Sequence, residues 1–166
     1  QREITVTPIF ENLFDSYRNA TASSTQEFSA GNKVIGYVRL WALSKNTSDI
    51  VSFKSLMAGL SHCDGLILDL RSAYGYLDDI HSNAFLPSPS GNDYFGKSVV
   101  VIVDSKTSVE GAKLARKLRR LDRIVVLGSE TRDGLQPELD APYPFTQTSR
   151  GDAQFETALN RLLGTI

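Results

Sequence analysis

The stretch from Ser98 to Thr131, SVVVIVDSKTSVEGAKLARKLRRLDRIVVLGSET, leaves a chain like this few choices of fold. An unbroken apolar run, Val99 to Val103, ends in the polar turn Asp104-Ser105-Lys106-Thr107-Ser108. Leu114, Ala115, Leu118 and Leu121 then recur at helical spacing, and a second apolar run follows from Ile124 to Leu127. Apolar runs without alternation predict strands covered on both faces, so the pattern predicts a buried strand, a crossover helix and a second buried strand. In such a βαβ unit the turn lies where a strand's carboxyl end meets a helix amino terminus. Backbone N–H groups and the helix dipole converge there, which makes 104–108 a candidate ligand-binding turn.

The rest of the chain extends the pattern. Ile4 and Val6 alternate as in a short strand, and Thr7-Pro8 predicts the cap and first position of a helix carrying Ile9, Phe10, Leu13, Phe14 and Tyr17 at helical spacing. Asn19 to Asn32, rich in Ser, Thr and Ala, reads as a loop or linker. Val34 to Leu40 and Asp64 to Leu70 predict two further buried strands. Between them a helix begins near Asp49, capped from Thr47, Ser48 or Asp49, with Phe53, Leu56, Met57 and Leu60 inward. Arg71 to Tyr76 makes a second strand-end turn, and a helix over Leu77, Ile80 and Ala84 stops before Pro87. The composition of 87–92 predicts a surface loop. After Thr131 a proline-bearing stretch shows no regular pattern, and Asp152 then caps a closing helix with Phe155, Ala158, Leu159, Leu162 and Leu163 on one side. The expected fold is α/β, a mainly parallel sheet with crossover helices on both faces. Residues 1–33 are expected to form an N-terminal strand, helix and linker, and 34–166 the core.

A chain of 166 residues, 41% hydrophobic, can bury one proper core. A net charge of −1 gives no global pull toward nucleic acid or anionic membrane, and no apolar run approaches the roughly 20 residues of a membrane span. Cys63 is the only cysteine, which excludes an intrachain disulfide and a thiolate metal cluster. It reads as a buried, inert thiol, and no cofactor or metal is expected. Because the chain begins at Gln1 rather than Met, it is expected to be a fragment of a longer product.

At its strand ends the sequence resembles the C-terminal processing, or tail-specific, serine peptidases, relatives of the tricorn core and of the interphotoreceptor retinoid-binding repeats. The matching pieces are VIGYVRL, DGLILDLR, VVVIVD and RIVVLGSET, in family order from Val34 to Thr131, and GDAQFETALNRLL resembles the family's terminal helix. REITVTP resembles the strand by which many members leave a preceding PDZ domain. The resemblance implies a ClpP/crotonase-like core. It also implies an oxyanion hole in the turn after Asp-Leu-Arg, where the family reads Asn-x-Pro-Gly-Gly. Here that turn is Ser72-Ala73-Tyr74-Gly75-Tyr76, and Gly75 is the residue that can still present its N–H to a carbonyl oxygen.

Extending the VVVIVD alignment without a gap puts the family's attacking serine on Val109 and its general-base lysine on Gly134. In the same register the supporting glutamine falls on Glu138, and Gly128 meets a family glycine. Neither an isopropyl group nor a hydrogen atom can perform the chemistry of the dyad. Ser108, next to Val109 and flanked by Lys106 and Glu110, is the remaining candidate nucleophile. A shift of one residue swings a side chain by about 100° around a helix, so capping by Thr107 or Ser108 is the simpler role.

Other residues invite a function and a plainer alternative. His81 falls close enough to Gly75 for a Ser108–His81 pair, against a partly exposed polar residue. His62, before Cys63 at a helix end, suits the helix dipole, and as a metal ligand it lacks further partners in sequence. Asp69 and Arg71 point the same way from a strand end and predict a structural ion pair. The basic face of Lys113, Arg116, Lys117, Arg119, Arg120 and Arg123 lacks interleaved aromatics, which favours a solvated helix surface or a domain contact over nucleic acid.

The leading expectation is a peptidase-family domain with a degenerate dyad that binds a peptide or protein chain end without hydrolysis. The alternatives are an active serine peptidase using Ser108, and binding of a small apolar ligand. An adjacent PDZ domain or subunit is the implied neighbour, with no nucleic acid and no membrane insertion. The resemblance implies a periplasmic or secreted location.

Overall fold

A computed structural model describes residues 4–8, 10–87, 94–141 and 151–166. Its centre is a six-stranded sheet. Strands β1 (Gln26–Ala30), β2 (Lys33–Arg39), β4 (Gly65–Asp69), β6 (Ser98–Val103), β7 (Ile124–Gly128) and β8 (Leu139–Asp140) lie side by side in chain order. Only β1 runs antiparallel, hairpinned onto β2 with Glu27 opposite Gly36; the other pairings are parallel. A separate two-stranded ladder joins β3 (Ala42–Leu43) to β5 (Tyr74–Gly75).

Strand periodicity of two sorts the core into two halves. Leu66, Leu68, Val99, Val101 and Val103 face α2 (Thr47–Gly59) and α4 (Val109–Leu118), meeting Phe53, Met57, Leu114 and Leu118. Ile67, Val100 and Ile102 point the other way, onto Ala158 and Leu162 of α5 (Ala153–Leu163). Both faces are therefore covered, with these crossover helices on one and the closing helix on the other. That is why β6 carries no polar alternation: both of its faces lie under helices. Phe28, Tyr37 and Phe155 close the α5 side at the β1 edge, with ring centroids 5.0 Å (Phe28–Phe155) and 5.5 Å (Tyr37–Phe155) apart.

The structure corrects the N-terminal expectations. Residues 4–8 form no strand, and Ile4 and Val6 are exposed. Helix α1 is Leu13–Ser24, starting not at Thr7-Pro8 but at Asn12, whose side chain accepts the Phe14 N–H at 2.9 Å. The expected linker is the end of α1 followed by β1. The helix continues through Ala20 and Ala22, and Thr21 Oγ1 accepts the Trp41 N–H, which docks the segment against the core. The division after residue 33 thus falls on a β-hairpin. Asn46, rather than its successors, caps α2 through the Ser48 N–H. Beyond Thr131, Glu138 and β8 add a short strand that the sequence pattern did not indicate; the Glu138 side chain accepts the Val126 N–H at 2.7 Å. The loop expected at 87–92 lies outside the described residues except for Pro87. Helix α3 (Asp79–Asn83) and the buried Cys63 agree with expectation.

Candidate functional site

The two strand-end turns flagged in the sequence meet in space, because β4 and β6 are neighbours in parallel register. Three hydrogen bonds join them. Asp104 Oδ1 accepts the Ser72 N–H at 3.0 Å, Thr107 Oγ1 donates to the Leu70 carbonyl at 2.9 Å, and the Ser108 N–H donates to the Ala73 carbonyl at 3.0 Å. Asp104 Oδ1 also accepts from the Lys106 N–H, and the Asp104 N–H donates to Thr107 Oγ1 at 3.0 Å, which fixes the turn.

Ser108 sits at the head of α4 with extended backbone, and its oxygen accepts the Gly111 N–H at 3.2 Å. It is the N-cap of that helix. Among the described residues no lysine or histidine nitrogen hydrogen-bonds its hydroxyl. Thr107 is buried, while Val109 begins the helix as an exposed residue, 51% accessible. Glu110 is held by Lys113 at 2.6 Å and by the Leu77 N–H, and the Lys113 partner draws its carboxyl below the usual range.

Gly75 lies in β5 with φ +110°, and a Cβ there would stand 2.0 Å from the Leu43 carbonyl oxygen. The Tyr74 and Tyr76 N–H groups donate to the Trp41 and Leu43 carbonyls across the ladder. Alternation of trans peptides therefore turns the Gly75 N–H away from β3, to the side on which Ser108 meets Ala73. Tyr74, Tyr76 and Val109 surround this corner as exposed apolar side chains. Ser72, just before it, holds φ +59°, a left-handed conformation unusual for serine.

Gly134 occupies a turn closed by its N–H to the Thr131 carbonyl, with φ +81° and open space where a Cβ would be. Gly128 has φ +134°, and a Cβ would stand 1.9 Å from the Val103 carbonyl oxygen, so only glycine fits there.

His81 is buried rather than partly exposed, at 3% accessibility. Its Nδ1 accepts the Asp78 N–H at 3.1 Å in a capping box, and its ring packs on Phe53 at 5.1 Å. Burial lowers its basicity. It makes no hydrogen bond to Ser108 and instead lines a cavity of about 710 Å³ together with Phe14, Leu40, Phe53, Leu56 and Leu60. Arg18 spans the α1 and α2 walls of that cavity by pairing with Asp49 at 2.7 Å.

Asp69 and Arg71 form the expected ion pair, and it is the centre of a larger buried network. Arg71 Nε reaches both carboxylate oxygens of Asp69 at 3.0 Å. Its terminal nitrogens bind Asp69 (2.6 Å), Asp152 (2.5 Å) and Gln154 Oε1 (3.1 Å), and the Tyr37 hydroxyl donates to Asp69 at 2.8 Å. Burial opposes the charge on Arg71, but the hydrogen bonds it donates to Asp69 and Asp152 override that and raise its basicity. The basic face of α4 is largely paired within the fold: Lys113 with Glu110, Arg116 with Asp133 and Lys117 with Asp79. Away from these turns, at the amino-terminal end of β4, the fold gathers Glu27, His62 and Cys63 into a mixed donor group. No helix among the described residues is long and apolar enough to cross a membrane.

No family model and no curated protein matches the sequence. Solved structures do match in fold. A candidate peptidase of Parabacteroides merdae superposes with TM-score 0.66 at 16% identity, over 89% of this chain and 70% of its own. A candidate S41 protease of Bacteroides fragilis gives 0.67 at 13% identity, over 86% of this chain and 57% of its own. The photosystem II D1 C-terminal processing protease gives 0.55 at 17% identity, over 78% of this chain and 46% of its own. The chain thus spans between about half and just over two thirds of these proteins. Its fold is that of the S41 and C-terminal processing peptidases.

Proposed function

From this peptidase-type fold we propose that the protein binds the end of a peptide or protein chain at the head of α4 and does not hydrolyse it. The observation that carries the reading is the state of Ser108. Its oxygen is occupied by the Gly111 N–H and no described basic nitrogen hydrogen-bonds it, so nothing is in place to take its proton. Val109 fills the position that the resemblance gives to the attacking serine, and Gly134 that of the lysine. What persists supports binding: the outward Gly75 N–H offers a donor to a carbonyl or terminal carboxylate, and Tyr74, Tyr76 and Val109 offer apolar contact beside it. On the resemblance alone we extend the proposal to an exported protein with a neighbouring PDZ domain or subunit.

The test is labelling with a fluorophosphonate probe beside titration with a peptide library of free and amidated carboxyl termini. Saturable binding of free termini, weakened by Tyr74→Ala, with no labelling is the expected result. Labelling that disappears in Ser108→Ala would instead establish a serine hydrolase.

A second reading, binding of a small apolar ligand, is favoured by the His81-lined cavity. Its volume falls in the range of small-molecule sites, and its walls carry Phe14, Phe53, Leu56 and Leu60. Asp49 Oδ2 in its lining is buried without a partner among the described residues, so such a ligand would carry one donor group. Displacement of an environment-sensitive fluorophore, lost in a Phe53→Arg variant, checks it.

A further inference from the structure

We propose that Glu27, His62 and Cys63 form a binding site for a zinc-class divalent ion. The three residues come from β1 and from the turn between α2 and β4, and their donor atoms all lie within 4.8 Å of one another. His62 Nε2 stands 3.2 Å from Glu27 Oε2 and 3.9 Å from Cys63 Sγ. With zinc bonds of about 2.3 Å to sulfur and about 2.0–2.2 Å to nitrogen or oxygen, the edges of a tetrahedral site are roughly 3.4–3.6 Å. The two separations at His62 bracket those edges, and the third, between the Glu27 carboxylate and the Cys63 thiol, lies within 4.8 Å, so an ion enters as one exposed imidazole and one exposed carboxylate turn inward.

Three features suit the surroundings to the donors. His62 Nδ1 lies 2.9 Å from the Gly59 carbonyl, which can only accept, so Nδ1 is the donor nitrogen and Nε2 is the one turned toward Glu27 and Cys63. Orientation of a ligating imidazole by a backbone carbonyl is the usual outer-shell arrangement at zinc sites. Gly36 is the residue paired with Glu27 in the β1–β2 ladder, and a Cβ there would press on Cys63 Sγ at 3.2 Å. The glycine keeps the thiol side of the site clear. Lys97 steadies the same turn by donating to the carbonyls of Ser61, His62 and Cys63. Carboxylate, imidazole and thiolate together favour a borderline ion such as Zn²⁺ or Co²⁺ over Mg²⁺ or Ca²⁺, which prefer all-oxygen sites. On binding, the Cys63 thiol releases its proton to solvent and the sulfur becomes a ligand. Three protein donors leave a fourth position for water or an incoming group.

The experiment is titration of the untagged, metal-stripped protein with Zn²⁺ by calorimetry and with Co²⁺ by absorption spectroscopy, with Mg²⁺ as a control. One ion per chain and a thiolate-to-cobalt absorption band are expected. Affinity should fall at least tenfold in His62→Gln and in Glu27→Gln, both surface changes that leave the core intact, and the band should vanish in Cys63→Ala. A protein that takes up no Zn²⁺, or one whose binding survives His62→Gln and Glu27→Gln undiminished, overturns the proposal. Cobalt bound without the thiolate band does so as well.

Discussion

The Ser108 N–H donates to the Ala73 carbonyl across 3.0 Å, so the head of α4 is stitched to the turn that follows β4. The serine oxygen faces its own helix at Gly111, so the N–H joins the two turns while the side chain caps α4. Ser108→Ala is expected to cost about 0.5–2 kcal/mol of stability, the usual worth of an N-cap. Ser108→Asp should recover most of it, because a carboxylate caps equally well and suits the positive end of the helix dipole. Urea denaturation of the three proteins checks this; an aspartate variant no more stable than the alanine one would remove the capping role.

Arg71 neutralises Asp69 where neither reaches water freely, their side chains being 8% and 0% accessible. Arg71→Met leaves the Asp69 carboxylate buried without its cation, and a loss of about 3–5 kcal/mol is expected. Asp69→Asn with Arg71→Met should cost markedly less than the single change, since the charge is then absent. The double-mutant cycle gives the coupling directly.

Asp152 gives this network a pH dependence. Burial works against its charge, yet hydrogen bonds from Arg71 and the Phe155 N–H outweigh that and hold its carboxyl below the ordinary aspartate value. A depressed folded-state value means that the contribution is fully present above the unfolded aspartate range and is lost as the pH falls through about 4 and below. Asp152→Asn should therefore flatten the acid limb of the stability curve while leaving its shape near pH 7 unchanged. Melting temperatures from pH 7 to 3 for both proteins measure the difference.

Gly75 and Gly134 both hold positive φ, but their surroundings differ. At Gly75 a methyl group would overlap the Leu43 carbonyl oxygen, whereas at Gly134 it would meet nothing within 4 Å. Gly75→Ala is expected to cost about 3 kcal/mol or more and to break the β3–β5 ladder, and Gly134→Ala only the backbone strain of about 1–2 kcal/mol. Thermal unfolding ranks the two; equal losses would contradict the close packing at Leu43.

Ser72 carries its left-handed backbone without a glycine or an asparagine to ease it. Ser72→Asn should raise stability by about 0.5–1 kcal/mol, since asparagine tolerates that region better and the Ser72 N–H bond to Asp104 is untouched. A lower melting temperature in this variant would show that the serine side chain has a role of its own.

What the sequence determined by itself was local. Apolar runs marked β4, β6 and β7, β-branched and aromatic residues around Gly36 marked β2, and helical spacing marked α2, α4 and α5, because burial on two faces or one stripe writes its period directly into the residues. The two strand-end turns were legible for the same reason, and so was the pairing of Asp69 with Arg71 two residues away. The edge strands were not: β1 is half solvated and mixes Gln, Glu and Ser with one aromatic, and β8 has two residues, so neither has a period to detect.

Only the tertiary structure decided which distant groups meet. Register between β4 and β6 set Ser108 against Ala73, and the fold of α5 carried Asp152 and Gln154 onto Arg71. Pairing of β1 with β2 brought Glu27 beside His62 and Cys63, a juxtaposition that no spacing along the chain announces. Periodicity records how each segment buries itself, whereas contacts between segments follow from strand order and register, which are properties of the assembled sheet.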